Sequence, residues 1–285
     1  MDTTQPVQLK LNPDEEEFFL LQTGIESVDD LKEHILDIQR DALKIVPYDL
    51  DRLKMSKLPW YNQVLQSMKI NESTIFLDMA CCLGTDIRKA IADGFPAERI
   101  IASDICQEFW NLGHKLFRTN PEEIFPKFFC GDVLDTSFIP DILQSNTSQE
   151  VPSEQDKMAS FAGHVKIIHA SNLFHLFNEA DQTTVAERLA VLVSHSPGSI
   201  IFGSQVGRHE KGYREEAIAP PANAGYLGNK TFCHSVSSWT EMWHGIFPAG
   251  SIRVDADLVE RSKEDLVGLE PGVKLYQIMW CVTVL

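Results

Sequence analysis

The run Thr74-Ile75-Phe76-Leu77-Asp78, followed at once by Met-Ala-Cys-Cys-Leu-Gly-Thr-Asp, constrains this chain more than any other feature. A short, almost wholly apolar strand reads as one buried on both faces of a parallel sheet. The small residues after it read as a tight turn into a helix near Thr85–Asp93, with Gly94 as its stop. The alternation repeats through strand Arg99–Ser103, helix Cys106–Arg118, strands Lys127–Cys130 and His164–Ala170, helix Ala180–Val193 and strand Ser199–Phe202. Strands alternating with helices predict βαβ units and an α/β fold with a doubly wound, mostly parallel sheet. An aromatic helix at Ser235–Phe247, a strand at Ile252–Val259 and a β-forming segment at Val273–Leu285 predict a closing hairpin.

Ahead of the first strand, residues 1–23 read as a loose polar arm. Val28, Leu31, Ile35 and Ile38 fall on one helix face from Ser27 onward, with Pro47 as a stop. Leu58, Tyr61, Val64, Leu65 and Met68 give a second helix. The expected division is an N-terminal arm and helical cap over 1–70 and a ligand-binding domain over 71–285. The polar stretch Gln144–Ser160 reads as a surface insertion, and Gln205–Asn229, with Arg208, Lys211 and Arg214, as a mobile lid whose charges are solvated.

Charge narrows the ligand. Forty-one acidic against 25 basic residues leave a net −16, the wrong sign for a nucleic-acid backbone or an anionic membrane surface. A small molecule or a protein is the expected partner. No apolar run reaches the 18 or so residues of a membrane span. The start has no basic-then-apolar leader, so a soluble cytoplasmic protein with six reduced cysteines is expected. No CxxC pair is present and no metal site is expected.

Three strand ends carry the candidate chemistry. A pyrophosphate-binding turn would be G-x-G-x-x-G, whereas this one has a single glycine, Gly84, and two cysteines, which disfavours a nicotinamide dinucleotide. A ligand without phosphate, such as S-adenosylmethionine, needs a less intimate backbone approach, and Asp78 at the strand end suits its ammonium group. The alternative is a merely structural βα turn. Asp104 after the second strand can accept both hydroxyls of a ribose or can cap the following helix. Asp132 after the third can accept from an adenine amine, with Val133 against the ring, or can be a turn aspartate. All three lie on the carboxyl edge of one sheet, where ligands of open α/β folds bind.

The run LDMACCLGTDIRKAIADGFPAERIIASDICQEFWNLGHKLFR, with IIHASNLFHLFNEADQ and SIIFGSQVG, resembles the fungal meroterpenoid carboxyl O-methyltransferases of austinol-, terretonin- and andrastin-type pathways. The resemblance runs from about Tyr48 to the C-terminus. It implies a class I methyltransferase (Rossmann-like) fold with a seven-stranded sheet. It also implies S-adenosylmethionine as cofactor and methylation of the carboxylate of a farnesylated dimethylorsellinic-acid-like intermediate. By position, Asp78 and the Ala80–Gly84 turn, Cys81 included, would hold the methionine part. Asp104 would hold the ribose, Ile105 would lie beside the adenine, and Asp132 and Val133 would hold the base itself. Ala80 stands where a glycine is expected but is small.

His169, Asn172 and His175 cluster where the transferable methyl would sit. His175 could donate to a substrate carboxylate or, in another chemistry, take a proton. A carboxylic acid with a pKa near ~4 is already ionised and needs no base, whereas a phenol titrating near ~10 does. His234, Ser235 and Ser238 begin a helix whose N-terminus suits an acid, and Trp239 is the first choice for an apolar substrate wall. The plainer reading of that segment is a helix packed on the sheet. Tyr48, Trp60 and Tyr61 cover the cofactor or belong to the core. The alternatives to carboxyl methylation are phenol or enol O-methylation with His175 or His234 as base, and a methyltransferase-like partner protein without catalysis. The N-terminal cap could close its own site or a second copy's, which keeps a homodimer open.

Overall fold

The computed structural model describes residues 9, 11–45, 53–70, 73–120, 126–141, 157–214, 231–261 and 274–285. In chain order the elements are α1 (Pro13–Thr23), α2 (Val28–Ala42), α3 (Tyr61–Ile70), β1 (Phe76–Met79), α4 (Thr85–Ala92), β2 (Ile100–Asp104) and α5 (Gln107–Leu116). There follow β3 (Lys127–Cys130), β4 (Ile167–His169), α6 (Glu179–Leu192), β5 (Ile200–Gly207), β6 (Gly212–Tyr213), β7 (Phe232–Cys233), α7 (Val236–Ile246), β8 (Ile252–Glu260) and β9 (Tyr276–Val284).

Seven strands form one sheet in the order β3-β2-β1-β4-β5-β9-β8. The β1–β2, β1–β4, β2–β3 and β4–β5 pairs are parallel, and β9 runs antiparallel to both β5 and β8. Only β9 therefore runs against the rest, and the expected closing hairpin folds back to insert its second strand inside the sheet. The chain reverses direction across the sheet between β1 and β4, which opens a crevice at the carboxyl ends of the strands. This strand order is that of the class I methyltransferase fold.

Side-chain alternation divides the core. Phe76, Ile100, Ile167, Ile200 and Phe202 face Met55, Tyr61 and Val64 on one side. Leu77, Ile101, Ile168 and Ile201 face Phe174, Trp239, Trp243 and Trp280 on the other. Tyr61 and Trp60 belong to the first of these cores, and the Tyr61 hydroxyl donates to Asp93 at 2.6 Å. Tyr48 lies outside the described residues.

The N-terminal arm is not loose where it is described. Asn12 and Glu15 form a reciprocal capping box that starts α1, with Pro13 inside its first turn. Charge crowds this helix and obscures any apolar stripe, yet Phe18 and Phe19 are buried against Phe117. Leu31, Ile35 and Ile38 of α2 pack with Leu112 and Leu116 of α5. The apolar face that left room for a second copy is thus covered within the chain. Of the expected insertion, residues 144–156 lie outside the described residues, while Met158 is buried. Of the expected lid, Gln205–Gly207 belong to β5 and 215–229 lie outside the described residues. Lys211 pairs with Glu179 at 2.7 Å, and Arg208 donates to the Tyr213 carbonyl.

Candidate active site

The turn between β1 and α4 is held in a demanding shape. Ala80, Cys82 and Gly84 have φ of +59°, +50° and +68°, all left-handed. L-residues with a side chain resist that region, so Ala80 and Cys82 store strain of the kind found at ligand sites. Gly84 is required twice over: a Cβ there would lie 2.8 Å from the Trp110 ring and 2.9 Å from Arg88 Nη1. The buried Arg88 Nη1 donates to the Leu83 carbonyl at 3.0 Å, and its guanidinium lies 4.3 Å from the Phe117 ring centroid. Burial pulls its pKa down to about 9, which leaves it charged at neutral pH. On the far side Gly113 of α5 presses its bare Cα against Leu83.

Behind the turn, Asp78, His169 and Ser171 form a buried relay. His169 Nδ1 lies 2.7 Å from Asp78 Oδ1, and Nε2 lies 2.7 Å from Ser171 Oγ. A carboxylate only accepts, so Nδ1 donates to it, and Nε2 shares the second hydrogen bond with the Ser171 hydroxyl. Ser171 Oγ in turn accepts the Ser204 N–H at 3.1 Å, so the hydroxyl is committed on both sides. Burial pushes the Asp78 carboxyl up, opposed by the neighbouring His169. His169 thus reaches the site through Asp78 and Ser171, and all three line one cleft with Lys54, Ala80 and Cys81. Burial also raises the Cys82 thiol to about 12 and the Cys81 thiol well above its ordinary value, so neither supplies a thiolate.

Asp104 locks two loops together. Oδ2 accepts the Cys82 N–H and Oδ1 the Cys106 N–H, each at 2.9 Å. Cys106 itself is the residue that caps α5, so Asp104 braces the entry to that helix without being its cap. Each oxygen keeps a second lone pair for a further donor. Next to it Ile105 is 63% exposed, an apolar face held open at the sheet edge. Asp132 is exposed and accepts the Leu134 N–H at 2.9 Å, as a turn aspartate does. Val133 departs from expectation: its side chain is buried in the core with Phe129 and Ile139.

Asn172 adopts φ +57°, a conformation Asn tolerates, and its N–H donates to the Ser204 carbonyl at 2.7 Å. His175 follows in a single 3-10 turn, Phe174–Leu176. Its Nδ1 is buried without a partner. Burial, reinforced by the positive charges of Lys54, Arg261 and Arg214, pulls its pKa down to about 4.

The second histidine cluster does not join this one. Ser235 caps α7 and closes a reciprocal box with Ser238, whose Oγ also lies 2.8 Å from His234 Nδ1. His234 is buried edge-on to Phe232 and Trp239, and burial brings its pKa to about 4. Trp239 is fully buried, 4.8 Å from the Phe174 ring centroid, so it is core and not an exposed substrate wall. This group belongs to the sheet face opposite Asp78 and His169.

Three contributors escaped the sequence reading: Lys54, Thr85 and Asp86 all line the cleft. Asp86 Oδ1 accepts the N–H groups of both Lys54 and Met55, each at 2.9 Å. The only sequence signal was Asp86 in the first turn of a helix after a tight turn, a position more often explained by the helix dipole. Among the described residues no cluster of His, Cys, Asp or Glu could hold a metal ion, and no helix is long and apolar enough to cross a membrane.

A family profile described as the meroterpenoid methyltransferase N-terminal domain matches residues 4–49. The methyltransferase ausD of Aspergillus calidoustus is 26% identical, with 90% of this chain and 84% of that protein covered. The chain resembles the fungal meroterpenoid methyltransferases. The asnovolin E/chermesin D methyltransferase nvfJ of Aspergillus novofumigatus is likewise 26% identical, over 89% of this chain and 83% of that one. Similarity to meroterpenoid methyltransferases therefore spans the N-terminal helices as well as the sheet. A solved Burkholderia thailandensis 1,6-didemethyltoxoflavin-N1-methyltransferase covers 100% of this chain and 97% of its own, at 13% identity and a TM-score of 0.47. The fold assignment rests on the strand order.

Proposed function

We propose that this protein transfers a methyl group from S-adenosylmethionine to the carboxylate of a prenylated polyketide acid, giving a methyl ester. The cofactor reading is supported by a strained small-residue turn, two acidic strand ends and an exposed Ile105 along one crevice. Asp78 would face the ammonium group, Asp104 the ribose hydroxyls and Ile105 the adenine, with Asp132 free to accept from the base through its second oxygen. The cofactor, when bound, supplies an electrophilic methyl on a sulfonium.

The carboxylate reading is carried by one observation: His175 Nδ1 is buried without a partner, and burial, together with the positive charges of Lys54, Arg261 and Arg214, keeps the ring neutral. Cations repel a proton on His175 and attract an anion beside it. A neutral imidazole can orient a carboxylate oxygen by donating one hydrogen bond, and an ionised acid needs no base. The remaining task is to align that oxygen with the methyl and exclude water. The partner is a small molecule; the net −16 supports no nucleic-acid role. The family profile and the relatives' names together support methyl transfer in fungal meroterpenoid biosynthesis.

The test is incubation with S-adenosylmethionine and a farnesylated dimethylorsellinic acid, with the product read by mass spectrometry and methyl-ester NMR. Ester formation at a rate nearly flat from about pH 6 to 8 is expected, because the acid is ionised and His175 neutral throughout. Methylation of a phenolic oxygen, with a rate rising through the histidine range, would overturn the carboxylate reading in favour of base-assisted transfer.

A further inference from the structure

The segment Leu53–Met55 enters the cleft as a strap. Leu53 is buried in the core shared by α1, α2 and α5, and Met55 in the core under α3 and α4. Between them the backbone is pinned to Asp86, so Lys54 has a fixed origin beside the β1–α4 turn. Among the described residues its ammonium makes no ion pair, yet its charge acts on Asp78, Cys82 and His175. A cation placed inside a cleft and not spent on any described carboxylate is a group available for binding.

An independent observation comes from the same cleft. Thr85, the first residue of α4, is 4% exposed, and its Oγ1 is buried with no hydrogen-bond partner. A buried hydroxyl left unpaired is unfavourable unless a ligand or water satisfies it. It sits on the N-terminal turn of α4, where the helix dipole favours an anion. Asp78 and Asp86 bring negative charge to the same cleft. The cleft therefore holds a cation and an unpartnered hydroxyl together with two carboxylates, a set of groups that matches the two charges of an α-amino-acid zwitterion.

We propose that Lys54 and Thr85 form the anchor for the methionine carboxylate of the cofactor, delivered by a strap that the N-terminal helices hold in place. The inference rests on the S-adenosylmethionine reading above and assigns it a residue from outside the sheet domain. One consequence is that the N-terminal helices are part of the cofactor site: α1 is tied to the strap region through the buried Glu15, which pairs with Lys57 at 2.7 Å.

Calorimetric titration with S-adenosylhomocysteine and with 5′-methylthioadenosine separates the possibilities, since the second lacks the amino-acid head. Lys54→Met should weaken S-adenosylhomocysteine about 10- to 100-fold, the worth of one charge-assisted hydrogen bond, and leave methylthioadenosine unchanged. Lys54→Arg should restore most of that loss, and Thr85→Val should show a smaller loss confined to the same ligand. If wild type binds S-adenosylhomocysteine and Lys54→Met binds it equally well, the anchor is wrong while the cofactor reading stands. Equal weakening of both ligands would make Lys54 structural and overturn the anchor. Unchanged S-adenosylhomocysteine binding with a raised acceptor KM would also overturn it, moving Lys54 to the acceptor acid. Failure of folded wild type to bind S-adenosylhomocysteine would instead remove the reading beneath it.

Discussion

Gly113 tests the idea that α5 positions the cofactor turn by direct backbone contact. A Cβ built at Gly113 falls 2.1 Å from the Leu83 carbonyl oxygen, 2.8 Å from its carbon and 3.2 Å from its Cα. Ordinary contact begins near 3.4 Å, so about 1.3 Å must be taken up, and backbone cannot swing aside as a side-chain tip does. Either α5 moves outward or the turn moves toward the ligand. Overpacking of this kind costs about 1–3 kcal/mol, and often more when backbone must shift. Ala is favoured over Gly within a helix by about 0.8–1 kcal/mol, which offsets only part of it. Gly113→Ala should therefore lose a net of about 1–2 kcal/mol, read as a lower urea midpoint at unchanged m. Binding of S-adenosylhomocysteine should weaken as well, because Leu83 belongs to the turn. Gly245 on α7 is the control: a Cβ there meets nothing within 4 Å, so Gly245→Ala keeps the helix gain, up to about 1 kcal/mol, without the clash. A Gly113→Ala protein as stable as Gly245→Ala, with cofactor affinity intact, would refute the proposed contact.

Asp104→Ala strands the Cys82 and Cys106 N–H groups and should cost about 1–3 kcal/mol, with S-adenosylhomocysteine binding lost in calorimetry; unchanged affinity would deny Asp104 the ribose. Ala80→Gly removes a left-handed strain worth about 1–2 kcal/mol against an unfolded-state entropy of about half that, so a thermal melt should show unchanged or slightly higher stability. Trp239→Ala should destabilise by about 3–5 kcal/mol in denaturant unfolding; a change in acceptor KM without loss of stability would return Trp239 to the substrate wall. His175 and His234 are held at about 4 against an ordinary 6.5, so both are neutral when folded and take up protons on unfolding. Their contribution to stability is complete above pH 6.5 and is lost as pH falls toward 4, with a slope of about 1.4 kcal/mol per pH unit for each. Urea midpoints of wild type and His175→Gln from pH 7.5 to 4.5 check this, the variant giving the flatter profile.

The sheet was legible because its strands are short apolar runs followed by small or acidic residues, so β1 to β5 and the strand-end acids Asp78, Asp104 and Asp132 could be located by pattern. The capping box at Asn12 and Glu15 was equally readable, but the charge-rich composition of α1 masked its two buried phenylalanines. Lys54 could not be found by pattern, since its importance comes from Asp86, 32 positions later, folding back to grip its backbone. Trp239 and Val133 show the converse. Each sits near a ligand-edge motif in sequence, and the turn after β3 or the helix α7 carries its side chain into the core.

The reversed β9 also has a consequence for synthesis. β8 emerges from the ribosome first, yet among the described residues it pairs only with β9, and β9 alone covers the outer edge of β5. Until the last strand is made, β5 presents an open row of amides and carbonyls flanked by Ile200, Ile201 and Phe202, and β8 has nothing to join. A nascent or truncated chain that ends ahead of Tyr276 is thus an unsealed sheet with a sticky apolar edge, a template for pairing with other chains.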